Sequence, residues 1–169
     1  MNNTQTAVVA INAAEQIPNK ELSDQVILSV LNTSDFVGMV KAFHALYDCP
    51  DETDLGTTKG LTHMTPERIK LRMDLIEEEY ARELIPAVEA RDEVEIADAL
   101  GDIIYVCIGM ALECGIDLRR VLGEIQASNM TKLGADGQVI RREDGKVLKG
   151  PSYVKPDIAA VLKYRNDAA

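Results

Sequence analysis

The chain has 169 residues, 46% of them hydrophobic but only 4% aromatic, enough for one core with an appended arm and too few for two full-sized domains. Leu, Ile, Val, Met and Ala carry the apolar content and Trp is absent, a balance that suits helix-on-helix packing and gives an all-α fold class. The formal charge of −10 excludes nonspecific attraction to nucleic acid or to an anionic membrane as the main activity, so neither is expected as a partner.

Residues 1–20 are polar and Ala-rich and read as a frayed arm or a short helix; they carry Glu15 and no basic start, so no signal peptide is expected. No apolar run reaches the eighteen or so residues of a membrane span, and three cysteines without Cys-x-x-Cys spacing argue for a reducing compartment. The cytoplasm is the expected location. A short helix is expected at 21–31, then a helix through "TSDFVGMVKAFHALYDCP" with Ser34 or Asp35 as N-cap and Pro50 as stop. Residues 49–64 read as a long loop.

Thr65 and Pro66 mark the start of the next helix, which runs through "LIEEEYARELIP" to a break near "ARDEV". A second, more apolar helix follows and stops at Gly115; it is expected to be buried. Asp117 caps a third helix ending at Gly134, Asp144-Gly145 signals a hairpin, and the tail adds a short last helix. The organisation is therefore an arm or short helices at 1–33, a helical domain at 34–134 and a tail at 135–169 packing on the core. The architecture expected is an antiparallel helical bundle with a short C-terminal hairpin or irregular tail.

The charge is unevenly spread. From Asp74 to Asp102 there are eleven acids against two bases, whereas from Arg119 to Arg165 there are ten bases against five acids. On the second helix Glu95, Asp98 and Asp102 fall within about 60° of arc, one acidic stripe among apolar neighbours. On the first, Glu79 and Glu83 are four apart with Glu78 beside them. If the two faces meet, like charges in low dielectric either take up protons or require cations, and a hard divalent ion is the simplest relief. No histidine lies near these acids in sequence, which disfavours zinc and iron. A bland reading stands beside this one: Asp92 and Glu95 fit a capping box, and the remaining acids fit a solvated face.

The Glu-rich helix, the short break and Glu95-x-x-Asp98 followed by "ALGDIIYV" resemble the MazG-like all-α nucleoside triphosphate pyrophosphohydrolases, relatives of dimeric dUTPases and phosphoribosyl-ATP pyrophosphohydrolase. "SNMTKLG" followed by "REDGKVLKGPSYVKPDI" is similar to a narrower, phosphoribosyl-ATP-pyrophosphohydrolase-like branch, and the likeness covers roughly residues 34–160. The resemblance implies Mg²⁺- or Mn²⁺-dependent cleavage of a nucleoside triphosphate between the α and β phosphates, and a deoxypyrimidine such as dUTP or a noncanonical nucleotide is the expected substrate. It also implies a homodimer or larger assembly. Glu79, Glu83, Glu95 and Asp98 are then the metal ligands, with Asp102 backing them, and Glu78 is the candidate base for the attacking water. Asn129, Lys132, Lys149 and Tyr153 are candidates for the triphosphate. The alternative is a nucleotide-sensing module of the same fold with weak or no catalysis.

One residue departs from the pattern. After Glu78-Glu79 the third expected glutamate falls on Arg82, and Glu83 follows one residue late. Pro86 cannot donate to the Arg82 carbonyl, so the helix is expected to widen there as a π-bulge, turning Arg82 outward and bringing Glu83 to the acidic face. An unbroken α-helix would instead aim Arg82 at the acids as a built-in counter-cation.

Overall fold

The computed structural model describes residues 17–31, 35–53 and 60–166, which fall into two compact units, one ending at Ile116 and the other starting at Asp117. The reading of an arm over residues 1–16 and the Ser34 cap lie outside the described residues. The all-α class holds: the described residues form helices, and the only β pairing among them is two isolated bridges.

In the first unit, α1 (Lys20–Leu31) precedes α2 (Phe36–Leu46), which starts where the Asp35 carboxylate accepts the Gly38 N–H at 2.9 Å. The expected loop is interrupted by a 3₁₀ turn at Gly60–His63. Next, α3 (Pro66–Glu77) begins with the Thr65 hydroxyl accepting the Arg68 N–H at 3.2 Å. It runs into a π-helical segment, Glu78–Leu84, and then α4 (Ile85–Ala90). Arg91, in the left-handed region at φ 57°, ends this long helix where the break is expected. The following α5 (Glu93–Glu113) is capped by Asp92, which accepts from the Val94 and Glu95 N–H groups. It closes on Gly115 at φ 67°, where a glycine avoids the Cβ clash and the Ile116 N–H reaches back to the Ala111 carbonyl at 2.8 Å.

Packing of α5 against α2, α3 and the π segment buries Val37, Val40, Ala99, Ile108, Ala111 and Leu112. The expectation that α5 is buried is met in part. Ile108, Gly109, Ala111, Leu112 and Glu113 are buried, but Leu100 and Ile104 are 47% and 53% exposed.

A charged knot sits inside this packing. Glu113, 2% exposed, accepts from Arg68 Nε at 2.6 Å and from Arg72 Nε at 2.6 Å, and the Arg72 Nη2 also donates to it. His44 Nδ1 lies 2.7 Å from the Pro50 carbonyl, which requires the proton on that nitrogen and leaves Nε2 to accept from Arg72 Nη2 at 3.1 Å. Burial lowers the His44 pKa, consistent with this neutral tautomer. Gly109 makes room for the knot, since a Cβ there would stand 2.9 Å from Arg72 Nη1 and 3.2 Å from His44 Nε2. Gly109→Ala is therefore expected to lower stability by about 1–3 kcal/mol through overpacking. Gly123→Ala, on an open helix face, is expected to raise it by roughly 0.5–1 kcal/mol, and urea unfolding of both variants checks the opposite signs.

The second unit contains α6 (Leu118–Met130), capped by Asp117, and α7 (Ile158–Asn166). The expected end of α6 at Gly134 is corrected to Met130. There the Thr131 hydroxyl folds back on the Ser128 carbonyl at 2.7 Å and the chain turns off. Asp144-Gly145 does form a turn, with Arg142 N–H donating to the Lys146 carbonyl, but each pairing stops at a single bridge. Returning, the tail is tied to α6: Ser128 Oγ donates to the Val154 carbonyl at 2.7 Å, Val154 N–H to Thr131 Oγ1 at 2.8 Å and Asp157 N–H to Glu124 Oε1 at 2.8 Å. At Gly150 the chain passes directly against the Leu133 carbonyl, where a side chain would collide with backbone.

Candidate active site

The π-helical widening places the acids. Ile85 donates its N–H to the Tyr80 carbonyl, five residues back, just before Pro86, whose ring would crowd the carbonyl of Arg82 in a regular helix. Within this segment Glu79 and Glu83 turn toward α5, and their carboxylates and that of Asp102 come together with one oxygen of each within 4.8 Å of the others. Arg82 is exposed on the same segment. The helix thus offers three acids to one point without a guanidinium among them.

Glu79 sits deepest. Its Oε2 is shielded from solvent and has no hydrogen-bond partner. Burial first, then the charges of Glu83, Asp102 and Glu78, push its pKa above the usual carboxylate range. An orphaned buried carboxylate oxygen facing two more carboxylates is an environment that a cation relieves, and an all-oxygen donor set suits Mg²⁺ or Mn²⁺ better than a soft metal. The residues present therefore fit a hard divalent ion.

Of the other acids singled out from the sequence, Glu78 is exposed and adjacent to Glu79. Glu95 and Asp98 are exposed on α5, and the cluster of three does not include them; Asp98 stands one helical turn before Asp102. The Asp92 N–H goes to the Ala87 carbonyl at 3.0 Å, so the cap uses only the Asp92 side chain and leaves the Glu95 carboxylate outside it. Sequence reasoning set Asp102 behind the ligands, whereas the structure sets it among the converging carboxylates. Its spacing of four from Asp98 was the available signal.

Beside Asp102 an apolar groove of about 300 Å³ opens, walled by Phe36, Met39, Val40, Tyr105 and Ile108. These residues are not among the site candidates singled out from the sequence. The Tyr105 ring is held edge-on by Phe43 at 5.6 Å, and burial pushes its hydroxyl pKa up to about 12, so it stays protonated.

In the second unit, Lys149 Nζ lies 4.3 Å from the centre of the Tyr153 ring, and a hydrogen bond with the Ser128 side chain, then the charges of Lys149 and Lys132, lower the Tyr153 pKa. Lys132, Lys149 and Tyr153 are thus neighbours on one cationic surface, while Asn129 is exposed near the end of α6.

Residues 54–129 match the family model described as phosphoribosyl-ATP pyrophosphohydrolase. That family is one of the MazG-like all-α pyrophosphohydrolases, and the helical architecture of this chain agrees with the match. A shorter stretch is similar to "Uncharacterized protein L479" of Acanthamoeba polyphaga mimivirus, 51% identical over 53 residues, which is 31% of this chain and 21% of that protein. The chain therefore spans about a fifth of the length of that relative. The description of the matched family is that of a pyrophosphohydrolase. Among the described residues, no single helix is long and apolar enough to cross a membrane.

Proposed function

We propose that the protein is a Mg²⁺-dependent nucleoside triphosphate pyrophosphohydrolase that converts a (d)NTP and water to the (d)NMP and pyrophosphate, with a deoxypyrimidine such as dUTP or a noncanonical nucleotide as substrate. The observation that carries the reading is the convergence of Glu79, Glu83 and Asp102, with one buried oxygen unpartnered. These three would hold the ion, and Asp98 and Glu95 extend the acidic stripe along α5 toward it. A bound Mg²⁺ or Mn²⁺ supplies charge neutralisation for the phosphate oxygens and for the leaving pyrophosphate.

Glu78, exposed beside the cluster, accepts the proton of the attacking water at its carboxylate. The groove next to Asp102 is apolar, and its size is at the small end of ligand sites, which suits a single-ring base. Lys132 and Lys149, with Tyr153 and Asn129, supply donors for phosphate oxygens. The alternative, a nucleotide sensor without catalysis, would be favoured by Arg82 among the acids, whereas Arg82 is exposed.

The test is a panel of ribo- and deoxynucleoside triphosphates incubated with Mg²⁺ and resolved by product. Monophosphate and pyrophosphate are expected from at least one; orthophosphate as the only inorganic product would refute the assignment.

A homodimer is part of this reading. Leu71, Met73, Tyr80, Val88, Leu100 and Ile104 are each more than two-fifths exposed, and Leu112 is the single large side chain that is completely buried among the described residues. So much uncovered apolar surface calls for a second copy. Leu100→Glu is expected to halve the mass measured by light scattering, and a monomeric parent protein would count against the proposal.

A further inference from the structure

The knot and the acidic cluster are the same arrangement written twice. In the knot, one acid of α5, Glu113, lies between two residues four apart on the facing helix, Arg68 and Arg72. Eleven residues further along that helix (68 to 79, 72 to 83) and eleven earlier on α5 (113 to 102), Asp102 meets Glu79 and Glu83. Both sets fall on the facing sides of the same antiparallel pair: the arginine–carboxylate bonds show it at Glu113 and the converging carboxylates show it at Asp102. At one end the chain provides its own cations. At the other it presents three carboxylates.

Resting on the pyrophosphohydrolase reading, we infer that Glu113 with Arg68 and Arg72 is a register clamp, a set of positioning residues that fixes α3 along α5 so that Glu79, Glu83 and Asp102 meet. Three features carry this. The forked guanidiniums hold Glu113 through both of its oxygens, and a fork, unlike a single ammonium, resists sliding and rotation. Glu113 and Arg72 are enclosed, with side chains 1% and 8% exposed, so the geometry is not averaged by solvent. Gly109, one turn before Glu113, leaves the space through which the Arg72 guanidinium reaches both Glu113 and His44, which ties the Cys49–Thr53 segment to the same point. To the hydrophobic packing of the two helices a buried two-armed ion pair adds a directional constraint.

Arg72→Lys and Glu113→Asp keep the charges and relax the geometry, and Arg68→Lys, at a more exposed position, is the milder form. Each variant is titrated with Mn²⁺ at a temperature where its helical circular dichroism equals that of the parent. The expectation is a loss of roughly 10-fold or more in Mn²⁺ affinity, the scale seen when residues that orient metal ligands are altered, with kcat falling and the KM for nucleotide little changed. Variants that melt earlier but bind Mn²⁺ and turn over like the parent would overturn the clamp and leave the trio as fold stabilisers only. If the parent itself binds no divalent ion, the pyrophosphohydrolase reading fails, and the clamp is then read without metal. In a Cys107→Ser chain carrying Glu79→Cys and Asp102→Cys, oxidation should form the 79–102 disulfide, and adding Arg72→Lys should slow its formation. An unchanged rate would overturn the inference.

Discussion

Asp102→Asn is expected to reduce pyrophosphate release by roughly 10²–10³-fold, the scale of removing one preorganised electrostatic group from a site that stabilises developing charge. Asp102 is the single contribution of α5 to the cluster, so its loss leaves Glu79 and Glu83 on one helix with nothing opposite. The same change relieves repulsion in the metal-free protein. Because the folded-state pKa of Glu79 lies above its ordinary 4.5, the fold binds more protons than the unfolded chain just above that value. Stability from this group is therefore present below pH 4.5 and lost as pH rises through the folded pKa. At pH 7 with chelator, both Asp102→Asn and Glu79→Gln should raise the melting temperature, and saturating Mg²⁺ should stabilise the parent and not the variants. Equal melting temperatures of the parent with and without Mg²⁺ would show that the carboxylates take no ion.

Glu113→Gln is expected to destabilise the protein by about 3–5 kcal/mol, the cost of removing one partner from a buried ion pair and leaving guanidinium charge uncompensated. Denaturant unfolding measures it. Burial pushes the Glu113 carboxyl up, but the hydrogen bonds from Arg68 and Arg72 outweigh it and hold its pKa below the ordinary 4.5. Its contribution is present above pH 4.5 and lost as pH falls through the folded pKa. His44, whose folded pKa lies below 6.5, acts in the same direction: its neutral form belongs to the fold, so stability begins to fall as pH drops below 6.5 and its share is gone below the folded pKa. A melting temperature that declines between pH 7 and pH 5 in the parent, and declines less in His44→Gln, is the expected result. A flat profile across that range in the parent would remove His44 from the argument.

The boundaries of the helices were legible in the sequence because their causes act within a turn. Asp35, Thr65, Asp92 and Asp117 each accept N–H groups two or three residues ahead, and Gly115 closes α5 by its own backbone freedom. The widening at Glu78–Leu84 was legible too, since Pro86 and the displaced Glu83 are local facts of the chain. The early end of α6 was not, because a Thr131 hydroxyl bond to Ser128 decided it, and a glycine four residues on looked like the stronger stop. Tertiary structure alone made Asp102, and not Glu95 or Asp98, the α5 carboxylate nearest Glu79 and Glu83. Those three α5 acids share one stripe, and only the axial register of α3 on α5 selects which of them faces the other helix. That register is set by contacts between residues 41 and 45 positions apart, Arg72 and Arg68 with Glu113, which no local pattern encodes. In the sequence Glu113 is one acid at the end of an apolar helix; folded, it is the buried charge against which the arginines of the facing helix are aligned.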